Sequence, residues 1–118
     1  MQKIFVMYRL KSGVSMERYK VWSREIDQRI TPGQPGMIRF EVYEIEGAER
    51  GEPFVQIVED IEVEDAQEWF ATAGKPGMAY IQETIADLID ESTLQVIYGR
   101  RIVSALPEGS RPPMPTVS

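Results

Sequence analysis

Arg39, Glu41 and Tyr43 alternate along one short stretch of the chain. In an extended strand such spacing turns all three side chains to the same face. A guanidinium there can bind a carboxylate or phenolate-like oxygen, a carboxylate can move a proton, and a phenol can stack or donate a hydrogen bond. The plainer alternative is a cross-strand ion ladder on an exposed or interfacial sheet face. Asp27 is harder to account for as scaffold. It falls near the C-terminal end of a predicted helix, where the helix dipole disfavours negative charge. If partly desolvated, it would hold its proton more readily and could serve as acid or base; if solvated, it would simply pair with Arg24 or Arg29. Asp27 and Glu41 are therefore the expected catalytic residues, and Arg9, Trp22, Arg39, Tyr43 and Gln56 the expected substrate contacts. Tyr19 and Trp22 read first as core residues packing on the sheet, the alternative being that an edge of one lines the mouth of a cavity.

What the chain lacks narrows the chemistry. Its 118 residues include no histidine and no cysteine, which removes Ser-His-Asp and Cys-His relays, imidazole and thiolate metal ligands and iron–sulfur clusters. No metal or other cofactor is expected. A net charge of −6 argues against nucleic acid and anionic membranes, both of which need a basic footprint. Glu59 and Asp60 are adjacent, so in a regular strand they point to opposite faces and cannot form a dyad unless a bulge intervenes. Gly74-Lys75-Pro76 is no phosphate loop, because Trp69 stands where a glycine is needed. No apolar run could span a bilayer, the first residues read as a strand rather than a secretory signal, and a cytoplasmic location follows as the default.

These residues must be held by a regular scaffold. Ile4, Val6, Tyr8 and Leu10 alternate with Lys3, Phe5, Met7 and Arg9, which predicts a strand over residues 2–10. Ser15 as N-cap and Glu17 in the first turn open a helix carrying Tyr19, Trp22, Ile26 and Ile30, and the Pro32–Gly36 run ends it. A second strand over 37–46 puts Ile38, Phe40 and Val42 on its apolar face. A third runs from Phe54 to Val63, with Val55, Ile57 and Ile61 apolar. A short helix around Trp69 and Phe70 follows. Pro76 then opens another helix bearing Met78, Ile81, Ile85, Leu88 and Ile89, and Ser92–Val103 forms the last strand. Residues 1–103 make one domain, while the proline-rich 104–118 is a tail, disordered or an extended arm.

The order βαββαβ predicts an α+β, ferredoxin-like fold with an antiparallel four-stranded sheet. Two helices cover one sheet face and leave the other bare. Phe5, Met7, Tyr43, Ile45 and Phe54 mix there with Arg9, Arg39, Glu41 and Gln56, a face too apolar for water and too polar for a dry core. A homodimer with sheets packed face to face, enclosing a part-polar cavity in each half, resolves the conflict.

Tyr19-x-x-Trp22-x-x-x-x-Asp27, Phe40-Glu41-Val42-Tyr43 and Val58-Glu59-x-Ile61-Glu62-Val63 resemble the RedY-like (HapK) family of dimeric α/β barrel proteins, over about residues 1–103. The resemblance implies a small homodimer tied to bacterial secondary-metabolite and antibiotic biosynthesis, acting on or holding aromatic intermediates of pyrrole or indole type without a metal. EthD-like relatives often carry a histidine near the end of the first helix. Here that place is taken by Asp27, so an imidazole proton shuttle does not transfer.

The expected function is a cofactor-free protein that binds an aromatic intermediate and assists its cyclisation, oxidation or condensation. The alternatives are a non-catalytic carrier or chaperone of a labile intermediate, a cofactor-free monooxygenase-like enzyme, and a dimeric stress or housekeeping protein with no small ligand.

Overall fold

The computed structural model describes residues 1–74 and 76–103, so the proline-rich tail lies outside the described residues. The alternation at the N-terminus becomes β1 (Gln2–Leu10), with Ile4, Tyr8 and Leu10 buried. Ser15 caps α1 (Met16–Trp22), its Oγ accepting from the Arg18 amide at 3.1 Å. The helix then passes through a π turn at Ser23–Asp27 and a single α turn, α2 (Gln28–Ile30), before a 3₁₀ turn at Thr31–Gly33. Wide turns of this kind recur at functional sites.

β2 (Met37–Glu44) and β3 (Ile57–Val63) are followed by α3 (Ala66–Ala73), capped by Asp65. α4 (Pro76–Ile85) and β4 (Ile89–Gly99) complete the unit. The sheet order is β2-β3-β1-β4, antiparallel throughout, the arrangement expected for the ferredoxin-like fold. Leu88 and Ile89 are not part of the last helix as expected. β1 goes on pairing as far as Leu10 with Ile89, which draws those residues into the turn and the strand.

Register decides which side chains meet the helices. Val42, Glu59, Val6 and Val96 lie opposite one another across the four strands, and Phe40, Ile61, Ile4 and Tyr98 form the next row. Both rows turn toward the helices, where Ile4, Tyr8, Tyr19, Trp22, Ile57, Ile61, Trp69, Met78 and Ile81 form the core. Ile38 was expected on that side, but it is exposed. The β2–β3 register shifts between Met37 and Arg39, so that Met37, not Ile38, packs against the core.

A candidate acid–base cavity on the helix side of the sheet

Between the sheet and the helices lies a cavity of about 400 Å³, inside the range of about 300–1,000 Å³ usual for small-molecule sites. Val6, Phe40, Ile61, Trp69, Ile81 and Ile85 supply apolar walls, and Leu94 and Val96 form a half-exposed rim. Into this lining project Tyr8, Asp27, Thr31 and Glu59, with Gln82 and Glu91.

Each polar group arrives from a different element. The π turn sets Asp27 on the inner side of the helix beside Tyr19 and Ser23, and all three are buried. Asp27 is 3% exposed and accepts a 2.6 Å hydrogen bond from Thr31 Oγ1. Glu59 is 7% exposed and accepts from the Tyr8 hydroxyl at 2.7 Å. Tyr8 has then given its one proton to Glu59, so it must accept from the Tyr19 hydroxyl with which it is in contact. Tyr19 is hydrogen-bonded by Ser23, whose Oγ accepts from Gln28 Nε2 at 3.0 Å. The result is a chain of hydroxyls from the helix to Glu59, and no buried side-chain polar atom among the described residues lacks a partner.

Charge in this setting is costly. Burial pushes the Asp27 carboxyl up to about 6, against the opposing hydrogen bond from Thr31. Burial pushes Glu59 up to about 8, the negative charge of Asp27 adds to the rise, and the Tyr8 hydrogen bond opposes it. Burial, and then the neighbouring Glu59, raise the phenols of Tyr8 and Tyr19 as well. Near neutral pH Glu59 is therefore mostly protonated and Asp27 mostly ionised, an acid and a base facing one cavity. Among the described residues no three acidic side chains gather as a metal site.

Of the residues singled out from sequence, the cavity contains Asp27 alone. Arg39, Glu41 and Tyr43 share the sheet face away from the helices, as expected, and this cavity lies on the other side. On their own face Arg39 Nε pairs with Glu41 at 3.3 Å, and the Tyr43 hydroxyl donates to Glu41 at 3.0 Å, an exposed polar ladder. Arg9 is held by the Pro53 carbonyl through Nη1 at 2.9 Å, and Gln56 Oε1 accepts from the Leu10 amide at 2.8 Å, so both secure the β2–β3 connection. Trp22 packs against Tyr19 and donates Nε1–H to Thr84 Oγ1 at 2.7 Å, locking α1 to α4 outside the cavity. Glu59 and Tyr8 line the cavity without having been singled out from sequence, while Tyr19 is buried in the core as expected. The signal for Glu59 was a carboxylate at the centre of the alternating apolar series Ile57, Ile61 and Val63.

The model of the REDY-like protein HapK matches residues 2–102. The chain belongs to this family. HapK from Hahella chejuensis superposes with a TM-score of 0.72 at 18% identity, over 92% of this chain and 100% of that one. A protein of Nitrosomonas europaea described as a candidate antibiotic biosynthesis monooxygenase gives 0.66 at 16% identity, over 87% and 100%. A dimeric ferredoxin-like protein of unknown function from Thermobifida fusca gives 0.67 at 9% identity, over 85% and 90%. No curated protein matches the sequence. At these identities the superpositions establish the fold, and HapK-family membership with antibiotic-biosynthesis-like neighbours fits a protein of small-molecule biosynthesis.

Proposed function

We propose that the helix-side cavity binds a flat aromatic intermediate of pyrrole or indole type in bacterial secondary metabolism and assists its reaction by proton transfer, without a resident cofactor. The observation that carries this reading is the pairing of Asp27 and Glu59 on an apolar cavity wall, with burial holding their protonation ranges apart. Protonated Glu59 gives a proton to an electron-rich ring carbon, and the carboxylate left behind keeps the hydrogen bond from Tyr8. The Asp27 carboxylate accepts a proton from the ring at the rearomatising step. Such help is worth about 10²–10⁴-fold in rate. The bare sheet face carries Phe5, Met7, Val58, Tyr43 and Ile97, and a second copy covers it in the proposed homodimer.

The test uses indole and 2,2′-bipyrrole in D₂O near neutral pH, with protein well below ring concentration. Exchange of ring C–H for C–D beyond one equivalent per protein, lost in Glu59→Gln, supports acid–base catalysis. Binding without exchange turns the cavity into a carrier site, and absence of binding overturns the reading.

A further inference from the structure

The cavity holds three acidic side chains, Asp27, Glu59 and Glu91, and among its described lining residues there is no lysine or arginine. Several described cations of the flanking elements pair elsewhere. Lys20 pairs with Glu44 at 2.7 Å, Arg29 with Glu25 at 3.0 Å, and Lys3 with Asp60 at 2.7 Å. Arg9 and Arg39, the arginines expected as substrate contacts, are committed to Pro53 and to the opposite face of the sheet. A bound carboxylate or phosphate would thus meet the buried charge of Asp27 with no cation among the described lining residues to offset it.

Aromatic walls point the same way independently. Trp69 and Phe40 line the cavity together with Tyr8, and aromatic rings attract cations more strongly when water is excluded. From these two features we infer that the cavity selects aromatic ligands bearing a cationic nitrogen, aryl-alkyl amines or protonated nitrogen heterocycles, and rejects aromatic acids and phosphates. The inference rests on the reading of this cavity as a ligand site and narrows it to a substrate class.

A consequence separates this selection from simple apolar packing. The groups that face the ligand are Tyr8 from β1, Asp27 and Thr31 from the helix, Glu59 from β3, Gln82 from α4 and Glu91 from β4. Of the two buried carboxyls, Glu59 is the one mostly protonated near neutral pH, so an ammonium entering beside it drives its proton into solvent.

The experiment is calorimetric titration of the full chain with tryptamine, indole and indole-3-acetate at about pH 7, in two buffers of different ionisation enthalpy. Expected are a preference for tryptamine over indole-3-acetate of about tenfold or more, and proton release with tryptamine but not with indole. Glu59→Gln should abolish the release. Val96→Lys, at the half-exposed rim where folding is not at risk, should shrink or reverse the preference. Indole binding with equal or greater affinity for the acid overturns the selectivity alone. If none of the three binds, the cavity reading falls and the selectivity with it.

Discussion

Tyr8 on β1 donates its phenolic proton to Glu59 on β3 over 2.7 Å, and neither side chain is accessible from outside to any useful extent. The pair stitches the two central strands together on the face covered by helices. It also fixes which oxygen of Glu59 is occupied and leaves the other free to serve the cavity. Tyr8→Phe removes the donor but keeps the ring. We expect a loss of about 1–3 kcal/mol, the cost of stranding a buried acceptor, together with a further rise in the Glu59 titration, because the lost hydrogen bond favoured the carboxylate. Urea unfolding checks the first, and ¹³C-carboxyl NMR of labelled glutamate checks the second.

The raised carboxyls determine how stability varies with pH. Both acids bind protons more tightly in the fold than in the open chain, from ordinary values of 3.8 for Asp27 and 4.5 for Glu59. Across the interval from there to about 6 and about 8 respectively, the native state therefore holds more protons than the unfolded state, and stability falls as pH rises. This contribution is fully present below the unfolded values and lost above the folded ones. Comparing wild type with the Asp27→Asn, Glu59→Gln double variant by urea unfolding between about pH 4.5 and pH 8.5 isolates it. The variant should show a flatter profile and gain relative to wild type at the alkaline end. Parallel profiles would mean that the carboxyls titrate normally.

Much of this architecture was legible in the chain. Period-two alternation in β1, the Ser15 cap and the prolines around the helix ends are local signals, and each formed where expected. The Asp27 position was legible too, since a carboxylate near a helix end asks for a reason. The rest depended on non-local facts. Which side of the sheet Glu59 and Glu41 each face is decided by which face the helices cover, and the pattern of β2, with Arg39, Glu41 and Tyr43 in a row, drew attention to the open face and away from the helix side. The π turn is invisible to a regular helical period, yet it sets Asp27 beside Tyr19 and Ser23. Trp22 read first as a core residue, and its burial agrees, but its bond to Thr84, which ties α1 to α4, could not be read from the chain.

The open sheet face yields an assembly prediction. Met7 lies opposite Val58 on one side and Gln95 on the other, with Tyr43 beyond Val58, so the partly buried Met7 and Val58 and the exposed Tyr43 form an apolar strip over the centre of the sheet. Met7→Lys places a charge in that strip without touching the helix-side core. A homodimer of standard interface size, about 1,600 Å² in total, should be seen for wild type by light scattering at micromolar concentration and should dissociate in the variant. A wild-type monomer would remove the proposed assembly.

Asp27 carries the sharpest single-residue prediction. Asp27→Asn keeps the shape and an oxygen to accept from Thr31, but removes a charge that burial opposes. Above about pH 6 the variant should be as stable as wild type or slightly more so, while ring-proton exchange should fall by about 10²-fold or more. Thr31→Val works in the other direction. It deletes the hydrogen bond that holds the Asp27 titration down, so the pH at which exchange reaches half its maximum should move upward. Glu41→Gln, on the far side of the sheet, should alter neither exchange nor its pH dependence. If Asp27→Asn instead lost stability and retained full exchange per folded molecule, Asp27 would be a buried anchor for Thr31 and the base would have to be sought in Glu91.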